Sequence, residues 1–464
     1  MKRLYIIAVV AMSMCLTGCN RWLDINTNPN YVADADKAML LPTIQLSVAD
    51  KLGYDINLVG LFWSEYVTQN KNTNQYYTIM TYNLTNQDSS FRSPWSYFYT
   101  RVLPSIKTFL SKCDETGNEN FILEGKAMLA YTLYMMTSLW DDVVYTEGYL
   151  SDELIVNPKF DSGKQMQETI IGILEDIRKI SPDAAAAAEE ASTSSTADMV
   201  FGGDTDAWFQ FANTLYLKVL LRDFSANKSK IQSLLAEDNF LDQDCAFDNF
   251  SDQADKSNPL YESDRRQLNT NANIRCCIEI LNVLSEDDPR LDAYYVNGAK
   301  GDVYGVTTDP SESTLFNITA TQPVYFATAD EALFLQAEAY ARLGDAESAQ
   351  SCYEAAIEAS FDREGCAGAE EFIEGAYAFT AGSTEEMVEQ IINQKWAANV
   401  HGNPIESWFD INRTGYPTVG KTISYSPGVS DGFPKRFLIP NSSTEYNSNS
   451  PAGKSLTDKM WWQK

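Results

Sequence analysis

The chain has 464 residues, 44% of them hydrophobic and 12% aromatic, enough apolar material to bury a large core and to exclude wholesale disorder. Its 64 acidic residues outnumber 35 Lys and Arg, a formal charge of −29 that repels nucleic acid and other polyanions. A single histidine, His401, is all that any Ser-His-Asp or Cys-His mechanism has to use.

The start is basic, Met1-Lys2-Arg3, and the apolar run Leu4 to Leu16 comes next. That is the layout of a secretory signal peptide, too short for a helix that needs about 20 residues to cross a bilayer. Residues 16–19, LTGC, resemble a bacterial lipobox. Residues 1–18 are therefore expected to be cleaved and Cys19 to become the lipidated N-terminus, carrying diacylglycerol and an acyl chain such as palmitate. Cys15 leaves with the signal peptide. So do Lys2 and Arg3, leaving 33 basic against 64 acidic residues, or −31. Asp24-Ile25-Asn26-Thr27-Asn28 begins like a calcium loop, but Pro29 stands where Gly is needed and Ala35 where Glu is needed. Residues 19–36 read instead as a turn-rich tether, and 37–464 as one helical domain.

Helical periodicity dominates that domain. In 121–140, Ile122, Met128, Leu129, Leu133, Met136 and Leu139 keep close to i, i+3, i+4, i+7 spacing. Further helices are predicted over 37–52, 55–68, 94–112, 164–180, 206–224, 228–237, 271–284, 329–343, 346–360, 369–376 and 384–400. Residues 181–205 are small and polar with a Gly-Gly-Asp turn, and read as a connecting loop. Segments 238–270 and 402–464 are rich in Asn, Ser, Pro, Gly and aromatics, which predicts long loops and short strands over a helical framework.

Residues 330–358 resemble a tetratricopeptide repeat, the clearest helix pair at 329–360: Ala337 where two helices cross, Tyr340 filling the gap, Leu343-Gly344-Asp345 turning, then Ala349, Tyr353 and Ala356. One such repeat cannot bury its own apolar face, so the other helices must supply partners. Of the cysteines left after cleavage, Cys276 and Cys277 are adjacent and no C-x₂-C zinc pattern exists. Cys352 and Cys366 are open to pairing in an oxidising compartment, though burial as small hydrophobes is the expected role.

Catalytic motifs are absent: no G-x-S-x-G, H-E-x-x-H, Walker A or G-x-G-x-x-G. His401, beside a Gly-Asn-Pro turn, reads as a loop residue. Asp141, Asp142, Glu262 and Glu406 are the only acids worth inspecting for a glycosidase pair. Segment 62–99 is different, for it interleaves aromatics with amides, as a sugar's flat apolar faces and hydroxyls require. Its candidate ligand contacts are Trp63, Tyr66, Gln69, Asn74, Tyr76, Tyr77, Tyr82, Arg92 and Trp95. Residues 69–93 lack a helical period and are expected to form surface loop, where aromatics have no packing role; Trp63 and Trp95, on helical flanks, serve equally as core.

The lipobox, WLDINTNPN, LEGKAMLAYTLYMMTSLWDDVVYTEGY, NPKFDSGKQMQETIIGILEDI, GGDTDAWFQFANTLYLKVLLRDF, DDPRLDAYY, QKWAANVHGNPIESWFDINRTGYP and FPKRFLIPNSSTEYNSN come in the order of SusD/RagB-type lipoproteins, which this chain resembles over nearly its whole length. The resemblance implies an all-α, tetratricopeptide-like scaffold with a loop-rich, irregular ligand-binding part. It implies an outer-membrane lipoprotein facing the cell exterior, partnered with a SusC-like TonB-dependent transporter and binding an oligosaccharide or a peptide, with no cofactor, no metal and no enzymatic activity. Only Cys19 carries over as a named residue. A tetratricopeptide interaction scaffold and an exported glycoside hydrolase are the readings from other classes.

Overall fold

The computed structural model describes residues 36–463 except 71–72, 191–192, 269–272, 306–311, 420–431 and 452. The expected leader 1–18, Cys19 and residues 20–35 of the expected tether lie outside the described residues. The first half is carried by α1 (Lys37–Lys51), α2 (Asn57–Trp63), α3 (Tyr77–Met80), α4 (Ser89–Tyr97), α5 (Leu103–Thr116), α6 (Glu119–Trp140), α7 (Gly163–Ile177), α8 (Pro182–Glu190) and α9 (Ser194–Ala197). The second half holds α10 (Thr205–Leu221), α11 (Phe224–Glu237), α12 (Arg290–Tyr294), α13 (Ala329–Leu343), α14 (Ala346–Arg363), α15 (Ala369–Glu374), α16 (Thr384–Ala398), α17 (Pro404–Thr414) and α18 (Asn441–Tyr446). Two antiparallel pairs are the only named sheets among the described residues. β1 (Val67–Gln69) pairs with β3 (Ile274–Cys276), and β2 (Cys245–Phe247) with β4 (Val324–Ala327).

The predicted helix pair is α13 and α14. Thr328 caps α13 by accepting from the Glu331 amide, and Asp345 caps α14 by accepting from Ser348. Between them Gly344 takes φ +86°, a left-handed turn that ends α13. Ala337, Ala349, Tyr353 and Ala356 are buried where the helices meet. Further layers stack on this unit: α16 on α13, α17 on α16, α10 on α13, and α6 with α5, α7 and α10. Nearly every side chain of α6 is buried, because this helix is surrounded rather than laid on a surface. At the join of α2 and α17, a Cβ on Gly60 would lie 2.5 Å from the Ile405 amide nitrogen, so only glycine allows that approach.

The Gly-Gly-Asp turn is a clasp. Asp198 accepts from Val200, Phe201 and Gly203 amides, from Trp208 Nε1 at 2.8 Å and from Gln45 Nε2 at 2.6 Å, tying α1 to the start of α10. Asp204 then caps α10.

Three expectations need correction. Residues 181–205 contain α8 and α9, since the run of alanines is a good helix former and Pro182 suits a first helical turn. Segment 271–284 holds β3 and a 3-10 turn at Ile278–Asn282 instead of a helix; buried Ile274 and Cys276 alternate with part-exposed Arg275. Segment 402–464 contains α17, begun by Pro404 and ended by Gly415, and the short α18. All six cysteines from Cys113 to Cys366 are free thiols, with Cys352 and Cys366 half-buried.

Candidate functional site

Most candidate contacts in segment 62–99 turn out to be interior, which corrects the reading of residues 69–93 as surface loop. Trp63, Tyr66, Gln69, Tyr76, Tyr82 and Trp95 are all buried. Trp63 donates from Nε1 to the Ile79 carbonyl and packs 5.0 Å from the Trp408 ring and 5.5 Å from Phe437. The Tyr66 hydroxyl reaches Ser407 Oγ at 2.6 Å, and Tyr82 packs on Trp63, Tyr304 and Phe433. Gln69 accepts from the Tyr76 amide, and the Tyr76 hydroxyl donates to Asp264 at 2.5 Å. Trp95 donates to Ser443 and packs against Trp140. Of the predicted set, Asn74, Tyr77 and Arg92 face solvent, Tyr77 being 40% exposed.

The Tyr76–Asp264 bond leads to a site the sequence did not single out. Asp264 lies on a π-helical turn, Tyr261–Gln267, whose Glu262, Ser263 and Gln267 line a groove of about 740 Å³. A second π-helical turn, Leu52–Ile56, continues directly from α1 and supplies Tyr54 to the same groove, which Ser263 also lines. Each π-turn inserts one residue into the helical register and swings the side chains after it, and such insertions recur at functional sites. Here two of them meet. Pro42, Thr43, Leu46 and Asp50 of α1 form one wall; Phe247, Asn249, Phe250, Ser251, Asp255, Lys256 and Ser257 form the other. Met199, beside the Asp198 clasp, contributes from a third segment.

This volume suits a few sugar rings or a short peptide. Tyr54 and Phe250 are half-buried and offer ring surface, while Asn249, Ser251, Lys256 and Gln267 offer donors and acceptors near solvent. Burial above all pushes the Tyr54 phenol up, so it remains a neutral hydroxyl. Behind the groove, Lys51 bonds Asp55 at 3.0 Å and lies over the Tyr97 ring, fastening the first π-turn to α4.

A second cleft, about 710 Å³, is walled by Trp95, Tyr99, Phe160, Leu154, Val156 and Tyr446 among others. Several of its polar groups are already spent. Tyr99 accepts from the Val144 amide, Asn447 donates to the Pro158 carbonyl, and Lys107 donates to Ser151 and Asp152. Leu154 is 95% and Val156 78% exposed, so this cleft presents apolar surface.

The acids considered for glycosidase chemistry fall in separate places. Asp141 and Asp142 come just after α6, and Glu262 is in the groove against Arg266 at 3.3 Å. Glu406 is buried in a charge network with Lys218 at 3.2 Å and the Tyr134 hydroxyl at 2.8 Å. That network continues through Lys218–Glu331 (2.9 Å), Lys395–Asp410 (2.9 Å), Arg413–Asp410 (2.6 Å) and Arg342–Glu338 (2.7 Å), with Arg413 also bonded to Glu338. It joins α10, α13, α16 and α17 internally and accounts for the charged letters of QKWAANVHGNPIESWFDINRTG. His401 bridges Glu364 at 2.9 Å and the Asn317 carbonyl at 3.2 Å, and packs on Tyr294. Among the described residues no group of three or more His, Cys, Asp or Glu could hold a metal, and no helix is long and apolar enough to cross a membrane.

A family model described as starch-binding, associating with the outer membrane, of the SusD-like kind, matches residues 29–440. Among solved structures, the chain is similar to a Bacteroidetes protein described as AC2a SusD-like, with TM-score 0.77 and 18% identity over 93% of this chain and 100% of that one. It is similar to a chitin-binding SusD homologue from Flavobacterium johnsoniae, with TM-score 0.72 and 21% identity over 92% and 97%. A SusD-like protein from Bacteroides thetaiotaomicron gives TM-score 0.75 and 19% identity over 92% and 99%. At these identities the likeness shows the fold alone. No curated protein sequence matches the chain.

Proposed function

The chain belongs to the SusD-like family, and from that premise we propose that it captures an oligosaccharide in the groove between its two facing π-turns and hands it to a SusC-like TonB-dependent transporter. The observation that carries the reading is the pairing of ring surface (Tyr54, Phe250) with amide and hydroxyl groups near solvent, in a groove of suitable size. The protein binds and does not turn its ligand over. Cys19 carries the lipid that holds it to the outer membrane, on the exterior side. Of the segment first expected to bind, Tyr77, Asn74 and Arg92 remain available as outlying contacts, whereas Tyr76 acts by holding Asp264 and its π-turn.

Isothermal titration of purified residues 20–464 against a glycan panel tests this: saturable binding without cleavage is expected, and Tyr54→Ala should weaken it about tenfold or more. Turnover of any glycan, or undiminished binding by that variant, sinks the proposal. Cys19→Ala should release the protein from the membrane fraction, and co-purification with a TonB-dependent barrel should depend on Cys19 only through co-localisation. The exposed Leu154 and Val156 favour a second reading, a peptide ligand in the apolar cleft. A peptide array run beside the glycans decides between them.

A further inference from the structure

Within the groove just described, charge is distributed unevenly, and the consequence rests on reading it as a saccharide site. Three carboxylates, Asp50, Asp255 and Glu262, line it against one ammonium, Lys256. Two of the three are partly neutralised by their own neighbours: Asp50 lies 3.2 Å from Lys51, and Glu262 pairs with Arg266 while accepting from Ser257. The cations that do this are thereby used, since Lys51 also bonds Asp55 and Arg266 also bonds Asp252. Asp255 forms no ion pair among the described residues, is exposed, and sits at φ +62° in a tight turn closed by the Ser251 amide to Lys256 carbonyl bond. Aspartate tolerates that left-handed backbone, as asparagine would.

We infer that the groove selects by charge: it takes saccharides bearing protonated amines most readily, neutral ones next, and rejects uronate or sulfated chains. An anionic sugar entering here meets an unpaired carboxylate at Asp255 and only Lys256 in compensation, inside the field of a chain that carries −29 overall. An amino sugar places its ammonium where Asp255 has no ion-pair partner among the described residues, while its ring face still uses Tyr54 and Phe250. The carboxylates set the order of preference, and the site itself stands on the ring surfaces and the two π-turns.

The test uses three ligands of matched length with residues 20–464: a β-linked glucosamine oligomer, its N-acetylated form, and an oligouronate, at slightly acidic pH where the amines are charged. Affinity should fall in that order, with the uronate about tenfold or more below the neutral sugar. Raising salt from about 0.1 to about 1 M, which shortens the Debye length from about 10 to about 3 Å, should compress the spread. Asp255→Asn, which keeps the backbone conformation, should narrow the gap between amine and neutral ligands, and Tyr54→Ala should weaken all that bind. A uronate that binds as tightly as the neutral sugar overturns the selection, as does an order unchanged in Asp255→Asn. Amine binding untouched by Tyr54→Ala would be adhesion to the acidic surface, and also overturns it. Failure of all three ligands, with other neutral glycans bound and Tyr54-dependent, defeats the selection alone; failure of every glycan defeats the saccharide reading with it.

Discussion

The same residue types meet opposite fates in two regions. In the network between α10, α13, α16 and α17, Lys218, Lys395, Glu331, Glu338 and Asp410 are all shut away from water and each touches an opposite charge. In the groove, Asp255 and Lys256 are exposed and form no ion pair with each other. A charge removed from water must be paired inside the protein or neutralised, because its desolvation costs several kcal/mol. A charge left in water keeps that capacity for a ligand. The interior network therefore belongs to folding, and the groove keeps the free charge that the proposed recognition requires, though no residue list drawn from composition would separate them.

The sharpest way to break this contrast is Lys395→Met, which strands Asp410 and Glu331 without one of their cations. We expect a loss of about 3–5 kcal/mol in chemical denaturation; a change below about 1 kcal/mol would show that the network carries no stability. Acid should act in the same direction. Burial pushes Glu331, Glu338 and Asp410 up, but Lys218, Arg413 and Lys395 outweigh it and hold all three below the usual carboxylate range. Their folded pKa values lie below the unfolded values near 4, so their contribution is present above about pH 4 and is lost as pH falls below it. Glu406, pushed up mainly by burial, runs the other way but is outnumbered. Urea midpoints taken at descending pH should drop in this window, and Arg413→Met should flatten the dependence.

Smaller effects test the boundary between the two regions. Tyr76→Phe removes the donor to Asp264 and should cost about 1–2 kcal/mol, with ligand affinity falling as the π-turn loosens; unchanged stability would return Tyr76 to the binding surface. Tyr54→Ala should weaken glycan binding about tenfold or more, equal to about 1.4 kcal/mol, while changing folding stability by less than about 1 kcal/mol. If stability falls further, Tyr54 is a framework residue.

Much of the scaffold was legible because its signals are local. The helix pair α13–α14 is marked by small residues at crossing points and a Gly-Asp turn, and α6 by unbroken apolar spacing. What escaped depends on distant partners. Aromatics without a helical period, such as Tyr76 and Tyr82, were expected outside, yet Tyr76 bonds Asp264, 188 positions away, and Tyr82 packs on Tyr304 and Phe433. Segment 271–284 has apolar residues enough for a helix, and only pairing with β1 decides for a strand. Helix α17 does carry helical spacing in Ile405, Trp408 and Phe409, but it is short and set among Gly and Pro. The groove was invisible for a related reason. Tyr54 falls in the gap between two predicted helices, and the extra residue of a π-turn leaves the apolar pattern almost unchanged.

One wall of the groove is α1, whose last turn runs straight into the π-turn bearing Tyr54. Tension drawn on α1, which packs on α5 and is held by the Asp198 clasp, is thus also passed along the helix to the groove wall. An occupied groove would bridge that wall to the Tyr261–Gln267 turn and stiffen it. In a pulling experiment from the N-terminus, saturating glycan should raise the force at which α1 peels away, making this protein's hold on its ligand and its resistance to being dragged two readings of one joint.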